Sequence, residues 1–305
     1  MATTNAKNAQ RTTLAQLDMA PGKKTRLYRL LYQSGPANGT LMVLPIDQGL
    51  EHGPRDFLDA PDSADPEFQF RLAVEGRYSA IACQIGLAAK YYPRYAGQVP
   101  LILKLNGKTE IPSDHQPLSP LLASVEDAVR LGADAVGYTL YVGSPLQDRD
   151  FQQMARVRQD AERFGLPVVV WSYPRGEAVD ARGGKDTVYA IAYASRVALE
   201  VGAEIIKLNA PSITPEKLAQ APKAYQRPWT EQEALAHVVG SAGRALVIFA
   251  GGERGSHEAM LEKARACMEA GATGLIFGRN VWQRPKAEAL AATRDIHAVL
   301  ADFGA

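Results

Sequence analysis

The sequence predicts an α/β protein: a single-domain (β/α)8 TIM barrel over residues 27–305, preceded by a polar arm over residues 1–26. Three observations carry that expectation. Eight short apolar runs alternate with helical stretches along the chain. A helix-stop unit recurs in front of those runs. Glycine-rich turns follow the seventh and eighth runs, where a barrel of this kind usually holds a phosphate.

The apolar runs fall at 41–46, 80–84, 101–105, 135–139, 167–171, 204–207, 246–249 and 274–277. Most are continuous rather than alternating, as parallel strands covered on both faces require. The recurring unit is a glycine that stops a helix, a step of two or three small or polar residues, and a new strand. It reads Leu131-Gly132-Ala133-Asp134-Ala135-Val136, then Val201-Gly202-Ala203-Glu204-Ile205-Ile206, then Ala270-Gly271-Ala272-Thr273-Gly274-Leu275. A looser copy is Glu75-Gly76-Arg77-Tyr78-Ser79-Ala80. Glycine just past a helix adopts the left-handed cap, and a short step into a strand is αβ-loop chemistry. Ser124 through Asp127 reads as a capping box that opens a helix ending at Gly132, and Ser256 as the N-cap of a helix over 257–270.

With 46% hydrophobic and 22% charged residues, the chain has the means to bury a sizeable core. A formal net charge of +1 argues against a general nucleic-acid binder, which needs a basic excess to displace counterions. No apolar run approaches a membrane span, so no membrane partner is expected. Cys83 and Cys267 each lie in an apolar stretch, which fits buried thiols in a reducing, cytoplasmic compartment. Lys7, Arg11, Lys23, Lys24 and Arg26 stand against Asp18 in the first 26 residues. An oligomer-contacting or flexible arm is the preferred reading there, an organelle presequence the other.

In such a barrel the chemistry sits where strands end. The strand ends here present Asp47, Gln84, Lys104 with Asn106, Tyr138, Trp171 with Tyr173, Lys207 with Asn209, Gly251 with Gly252, and Gly278 with Arg279. Lys207 ends an otherwise apolar strand. A lysine in water sits ~3.5 pH units above neutrality, so its free amine is scarce by about 5 kcal/mol. Burial and a neighbouring cation such as Lys104 recover part of that and make a nucleophile toward a carbonyl. The other reading is a strand-end lysine whose ammonium reaches solvent. Trp171 and Tyr173 alternate onto one face, so an indole and a phenol point to one side, as site residues or as packing under a loop. Asp47 either bonds a substrate hydroxyl, pairs with a lysine across the barrel, or caps the bend at Gln48-Gly49. Lys104 is either a phosphate ligand or the partner of Asp47. Gly251, Gly252, Gly278 and Arg279 form an anion site: backbone N–H groups unshielded by side chains, plus one guanidinium.

Metal chemistry is not expected. The five histidines are scattered, with no i,i+4 pair; His52 alone lies near the rim, and His297 reads as helix surface. No Walker loop or dinucleotide fingerprint occurs, and no cofactor is expected. The stretch 211–240 is long for a βα connection, and its Lys217, Lys223, Tyr225, Arg227 and Trp229 read as a lid or a contact with a neighbour.

These rim segments together resemble the archaeal-type class I fructose-bisphosphate aldolases, also found in bacteria. The matching pieces are Leu44 through His52, Leu103-Lys104-Leu105-Asn106, Val136 through Ser144, Trp171-Ser172-Tyr173, Ile206-Lys207, Gly251-Gly252 and Phe277-Gly278-Arg279-Asn280. The resemblance implies that Lys207 forms the Schiff base, that Tyr173 shuttles the proton, that Trp171 lies beside the substrate and that Asp47 lies at the base of the site. It implies that Gly251, Gly252, Gly278 and Arg279 hold a phosphate, that the substrate is a phosphorylated sugar, and that the protein is a homo-oligomer of stacked rings such as a decamer. Ala250 departs from the serine that commonly precedes the glycine pair, which removes a hydroxyl but keeps the backbone donors. A sister enzyme of the same wider family, making a deoxy-sugar precursor or cleaving a phosphorylated dione, remains open. So do a barrel isomerase without a covalent step and a non-catalytic scaffold.

Overall fold

A computed structural model of the chain describes residues 11–58, 60–252 and 255–304, apart from the Gln48 side chain. Eight parallel strands close into a barrel in chain order: β1 (Leu41–Pro45), β2 (Ala80–Gln84), β3 (Leu101–Lys104), β4 (Ala135–Val142), β5 (Val168–Pro174), β6 (Ile205–Leu208), β7 (Leu246–Ala250) and β8 (Gly274–Ile276). Closure is made by β8 against β1, with Leu41 opposite Gly274 and Val43 opposite Ile276. Every strand is buried along its length, apart from a half-buried Tyr173, which explains the continuous apolar runs.

Two strands run further than the apolar pattern reaches. β4 and β5 pair from Val136↔Val168 to Val142↔Pro174, carrying Tyr141 and Tyr173 up to the rim. The apolar pattern breaks at Ser172, whose hydroxyl donates to the Ala194 carbonyl of the flanking helix Val188–Glu200, so a polar residue is satisfied in mid-strand.

The helix-stop unit takes its expected form at Gly132, Gly202 and Gly271, which have φ of 68°, 99° and 92°. The looser copy differs. Gly76 keeps φ −78°, and Arg77 takes the left-handed conformation at 53°. Gly76 is there for space, because a Cβ would lie 2.8 Å from the Leu72 carbonyl oxygen and 2.7 Å from the Tyr78 ring. The capping box at Ser124 and the N-cap at Ser256 both form.

Of the arm set apart in the sequence, residues 1–10 lie outside the described residues. Residues 11–26 pack on the barrel. Leu14, Leu17, Leu27, Leu30 and Leu31 form one buried cluster with Leu41, Ala80, Ile102, Ala135, Val169, Ile205 and Leu246, the first residues of the strands and their near neighbours. The floor of the barrel is therefore covered by the chain's own N-terminal segment. Lys23 fastens it: its Nζ lies 2.7 Å from Glu204 and 2.7 Å from Glu162.

The stretch 211–240 lies on the flank and does not cover the rim. Tyr225 packs against Tyr189 of the helix Val188–Glu200 and against Trp229 and His237, Arg227 stacks on Trp229, and Lys217 pairs with Asp186 at 2.6 Å. His297 is half-buried, not on the surface, with its Nε2 3.2 Å from the Gly76 carbonyl.

Candidate active site

The open end of the barrel holds a cavity of about 570 Å³, and Asp47, Trp171, Tyr173, Lys207, Gly251, Gly252, Gly278 and Arg279 all line it. Lys207 comes from the end of β6, whose hydrogen-bonded neighbours place it opposite Trp171 on β5 and Ile248 on β7. It is only 6% exposed. Its Nζ donates to the Tyr173 hydroxyl and lies 4.3 Å from the centre of that ring. Burial is the main force on its amine, pulling the pKa down to about 7; Asp47 and Glu51 oppose that, and Lys104 and Arg175 add to it. An amine at that value is half free at neutral pH, which is what a carbonyl nucleophile needs.

Lys104 is fully buried at the end of β3, and its charge is accounted for by two carboxylates. Its Nζ donates to Asp47 at 2.6 Å and also to Glu51. Asp47 and Glu51 stand four residues apart across the short helix Gln48–Glu51, the spacing that puts two side chains on one helical face. Burial penalises the Lys104 ammonium, yet the two carboxylates outweigh it and hold its pKa above the ordinary lysine value. The pair is split in turn. For Asp47 the attraction of Lys104 wins over burial and its pKa is lowered; for Glu51 burial and the charge of Asp47 win and its pKa is raised. Lys104 is thus the partner of Asp47 beneath the cavity and is absent from its lining.

Tyr173 is half-buried among these charges. Burial, with Glu51 and Asp47, pushes its phenol well above the ordinary value, against Lys104 and Arg175. Trp171 lies under Lys104, Nζ to ring 5.0 Å, and the space for both comes from Gly137 on β4. A Cβ there would lie 2.8 Å from the indole and 3.1 Å from Lys104 Cγ.

Glu51, Tyr141, Arg175 and Lys263 are among the lining residues that escape a reading of strand ends. Glu51 is visible only as the residue four after Asp47. Tyr141 and Arg175 sit beyond the apolar runs because β4 and β5 are longer than those runs. Lys263 belongs to the helix His257–Glu269 and gives no strand signal. Conversely, three strand-end residues face elsewhere. The Tyr138 hydroxyl donates to Asp150 beneath the helix Gln147–Phe164, Asn106 donates to the Ser119 and Thr139 carbonyls, and Gln84 donates to the Asn106 carbonyl.

The mouth of the cavity is ringed by ion pairs between loops. Asp114 bridges Lys108 at 2.8 Å and Arg175 at 3.2 Å, while Glu110 meets Arg55 at 2.9 Å and His52 at 3.2 Å. His52 is occupied in this way. Among the described residues, no three His, Cys, Asp or Glu side chains gather as metal ligands would. The glycine turns after β7 and β8 are joined by Asn280, which donates to the Gly252 carbonyl at 3.3 Å and accepts from the Gly255 N–H at 3.1 Å.

A buried amine near neutrality, touching a phenol on the wall of a barrel cavity, has the neutral form that attack on a carbonyl requires. Residues 41–284 match the family model of the DeoC/LacD family aldolases. The chain belongs to that family. It is 44% identical over 247 residues, 81% of this chain and 84% of the relative, to a class 1 fructose-bisphosphate aldolase of Thermoproteus tenax. It is 33% identical to a fructose-bisphosphate aldolase/6-deoxy-5-ketofructose 1-phosphate synthase of Methanocaldococcus jannaschii, over 86% of this chain and 81% of that protein. Among solved family structures, an archaeal fructose-1,6-bisphosphate aldolase has been captured with its catalytic lysine covalently bound to the carbinolamine intermediate of the substrate. It superposes with a TM-score of 0.77 at 39% identity, over 90% of this chain and 99% of that one.

Proposed function

We infer that the protein is a class I fructose-bisphosphate aldolase, a lyase that reversibly cleaves fructose 1,6-bisphosphate to dihydroxyacetone phosphate and glyceraldehyde 3-phosphate through a Schiff base on Lys207. The observation that carries the reading is the buried Lys207 amine, held at about 7 and bonded to Tyr173 on the cavity wall. An isomerase that used Lys207 only as a charge would have no use for an amine half deprotonated at neutral pH.

In this reading the free amine of Lys207 adds to the C2 carbonyl, and loss of water leaves an iminium. The C3–C4 bond breaks with its electron pair drawn into the iminium, giving an enamine, and the C4 hydroxyl proton passes to Tyr173. The aldehyde leaves, C3 is reprotonated, and water hydrolyses the Schiff base to regenerate the amine. Before substrate binds, the raised pKa of Tyr173 keeps it a neutral phenol, the form that donates in the synthetic direction. A permanent cation on Lys207, 4.3 Å from the ring centre, makes the phenolate needed for cleavage easier to reach. Trp171 supplies a flat apolar wall beside the triose, Asp47 keeps the Lys104 cation in place below it, and Gly251, Gly252, Gly278 and Arg279 receive the phosphate of the dihydroxyacetone half.

Borohydride reduction of the protein with dihydroxyacetone phosphate, followed by peptide mapping, should leave a triose phosphate adduct on Lys207; Lys207→Met should give neither adduct nor cleavage while keeping the native circular dichroism. Near-normal cleavage by that variant would end the assignment. A panel of phosphorylated ketoses and aldehydes separates fructose 1,6-bisphosphate cleavage from the deoxy-sugar synthesis named for the Methanocaldococcus relative. The reading extends to a homo-oligomer, as the family resemblance implies, and to a reducing compartment such as the cytoplasm, which suits two buried, free cysteines.

A further inference from the structure

Lys263 sits in the second turn of the helix His257–Glu269, where the neighbouring Ala264 and Cys267 are core residues. Its side chain runs up the inner edge of the helix into the glycine turn after β7. The Nζ donates to the Gly251 carbonyl at 3.0 Å. Gly252, at φ +79°, brings its backbone so close that a Cβ there would lie 3.3 Å from the Nζ. The residue lines the cavity together with Gly251, Gly252, Gly278, Arg279 and Lys207.

Most other cations near this cavity have a carboxylate. Lys104 has Asp47 and Glu51, Lys108 and Arg175 share Asp114, and Arg279 has Asp56 at 3.9 Å. Lys207 and Lys185 have none among the described residues; Lys207 escapes the cost by being half neutral, and Lys185 by standing exposed to water. Lys263 is a half-buried ammonium whose only hydrogen bond among the described residues is to one carbonyl, and it makes no ion pair there. Burial lowers its pKa, with only Cys267 and Glu231 opposing. A cation withdrawn from water without a counter-ion is costly unless something else brings the negative charge. Lys263 points that charge into a cavity that already offers backbone donors and a guanidinium.

We propose that Lys263 is a phosphate-binding residue of this site, adding a positive charge to the backbone donors that hold the phosphate seated between the β7 and β8 turns. The inference rests on the placement of the triose phosphate at those turns, and it adds a residue that no strand-end reading reaches. Its contact with Gly251 is also structural: holding that carbonyl on the helix side leaves the neighbouring N–H groups free for the anion. The phosphate-binding role and the purely structural one predict different kinetics.

The test compares Lys263→Met and Lys263→Arg with the wild type in the synthetic direction, using glyceraldehyde 3-phosphate and either dihydroxyacetone phosphate or dihydroxyacetone. Inorganic phosphate serves as a competitive probe. A charged hydrogen bond to phosphate corresponds to a loss of about 10- to 100-fold. Lys263→Met should lose that much in kcat/KM for dihydroxyacetone phosphate, mostly in KM. Its loss with dihydroxyacetone should be at least about ten times smaller, inhibition by phosphate should weaken in step, and Lys263→Arg should recover part of the difference. Equal losses with both ketones would overturn the inference and leave Lys263 a strut of the loop. So would a Lys263→Met protein that keeps wild-type kcat/KM for the phosphorylated ketone. A wild type with no preference for the phosphorylated ketone would remove the phosphate placement itself, and that failure is visible before any variant is made.

Discussion

An amine that must attack a carbonyl has to be neutral, and a neutral lysine has to be made by its surroundings. Around Lys207 the making is a contest between burial with Lys104 and Arg175 on one side and Asp47 with Glu51 on the other. Its free amine therefore disappears below about pH 7, and the rate of borohydride trapping should rise as pH climbs through that value and level off above it. Lys104→Met removes a like charge and leaves both carboxylates, so the rise should move to higher pH. The same change strips a buried pair of its cation and should cost about 3–5 kcal/mol of stability by urea unfolding. A downward shift of the rise would refute this account of the electrostatics. Tyr173→Phe keeps the amine and loses the proposed proton shuttle: trapping should persist while kcat for cleavage falls about 10²- to 10⁴-fold. Lys207, Tyr173, Trp171 and Asp47 were legible as strand-end residues because an ionisable or aromatic group at the end of an apolar run stands out. Glu51 was not, since its signal is a spacing from Asp47 that becomes meaningful only once Lys104 is known to lie between them.

At the level of elements, the barrel depends on one bare backbone position. Gly274 opens β8 against Leu41, and a Cβ there would lie 2.1 Å from the Leu41 carbonyl oxygen, a backbone atom that cannot rotate away. Gly274→Ala should cost at least about 3 kcal/mol, or prevent closure, in thermal unfolding. A wild-type melting temperature would mean that the β8–β1 seam yields more easily than its geometry implies. The strands themselves were readable as runs of Val, Ile and Leu, with ends placed to within a residue or so for six of the eight. β4 and β5 were cut short at a polar residue: Thr139 interrupts β4 before the buried Leu140, Tyr141 and Val142, and Ser172 interrupts β5, its hydroxyl satisfied by the Ala194 carbonyl. The stretch 211–240 suggested a lid by its length. Its aromatic residues find their partners on the outer helices, a tertiary preference that no local pattern records.

For the molecule as a whole, the two ends of the barrel do different work. The rim is polar and open, while the floor is closed by leucines of the N-terminal segment and by Lys23 between Glu204 and Glu162. Polar composition alone could not show that residues 11–26 would be packed, because the few leucines that do the packing are spaced among lysines and arginines. Lys23→Ala leaves the mostly buried Glu204 without its cation and should lower unfolding stability by about 3 kcal/mol. Turnover at saturating substrate, measured well below the unfolding temperature, should stay at the wild-type level because the change lies across the barrel from Lys207. A large fall in kcat would instead mean that floor and rim are mechanically coupled.

The pairing of Trp171 with Lys207 across β5 and β6 also gives the protein an internal optical probe. An excited indole carries a large dipole, so its emission responds to a charge placed beside it. Trp171 lies 5.0 Å from the Lys104 ammonium and is strand-paired with Lys207, the amine that becomes a permanent cation in the proposed Schiff-base reaction. Trp229 stacks on Arg227 at the flank, and Trp282 is buried against Phe57, so neither is strand-paired with that amine. Stopped-flow emission from Trp171 should therefore follow the appearance and decay of the covalent intermediate in real time, without label or coupling enzyme.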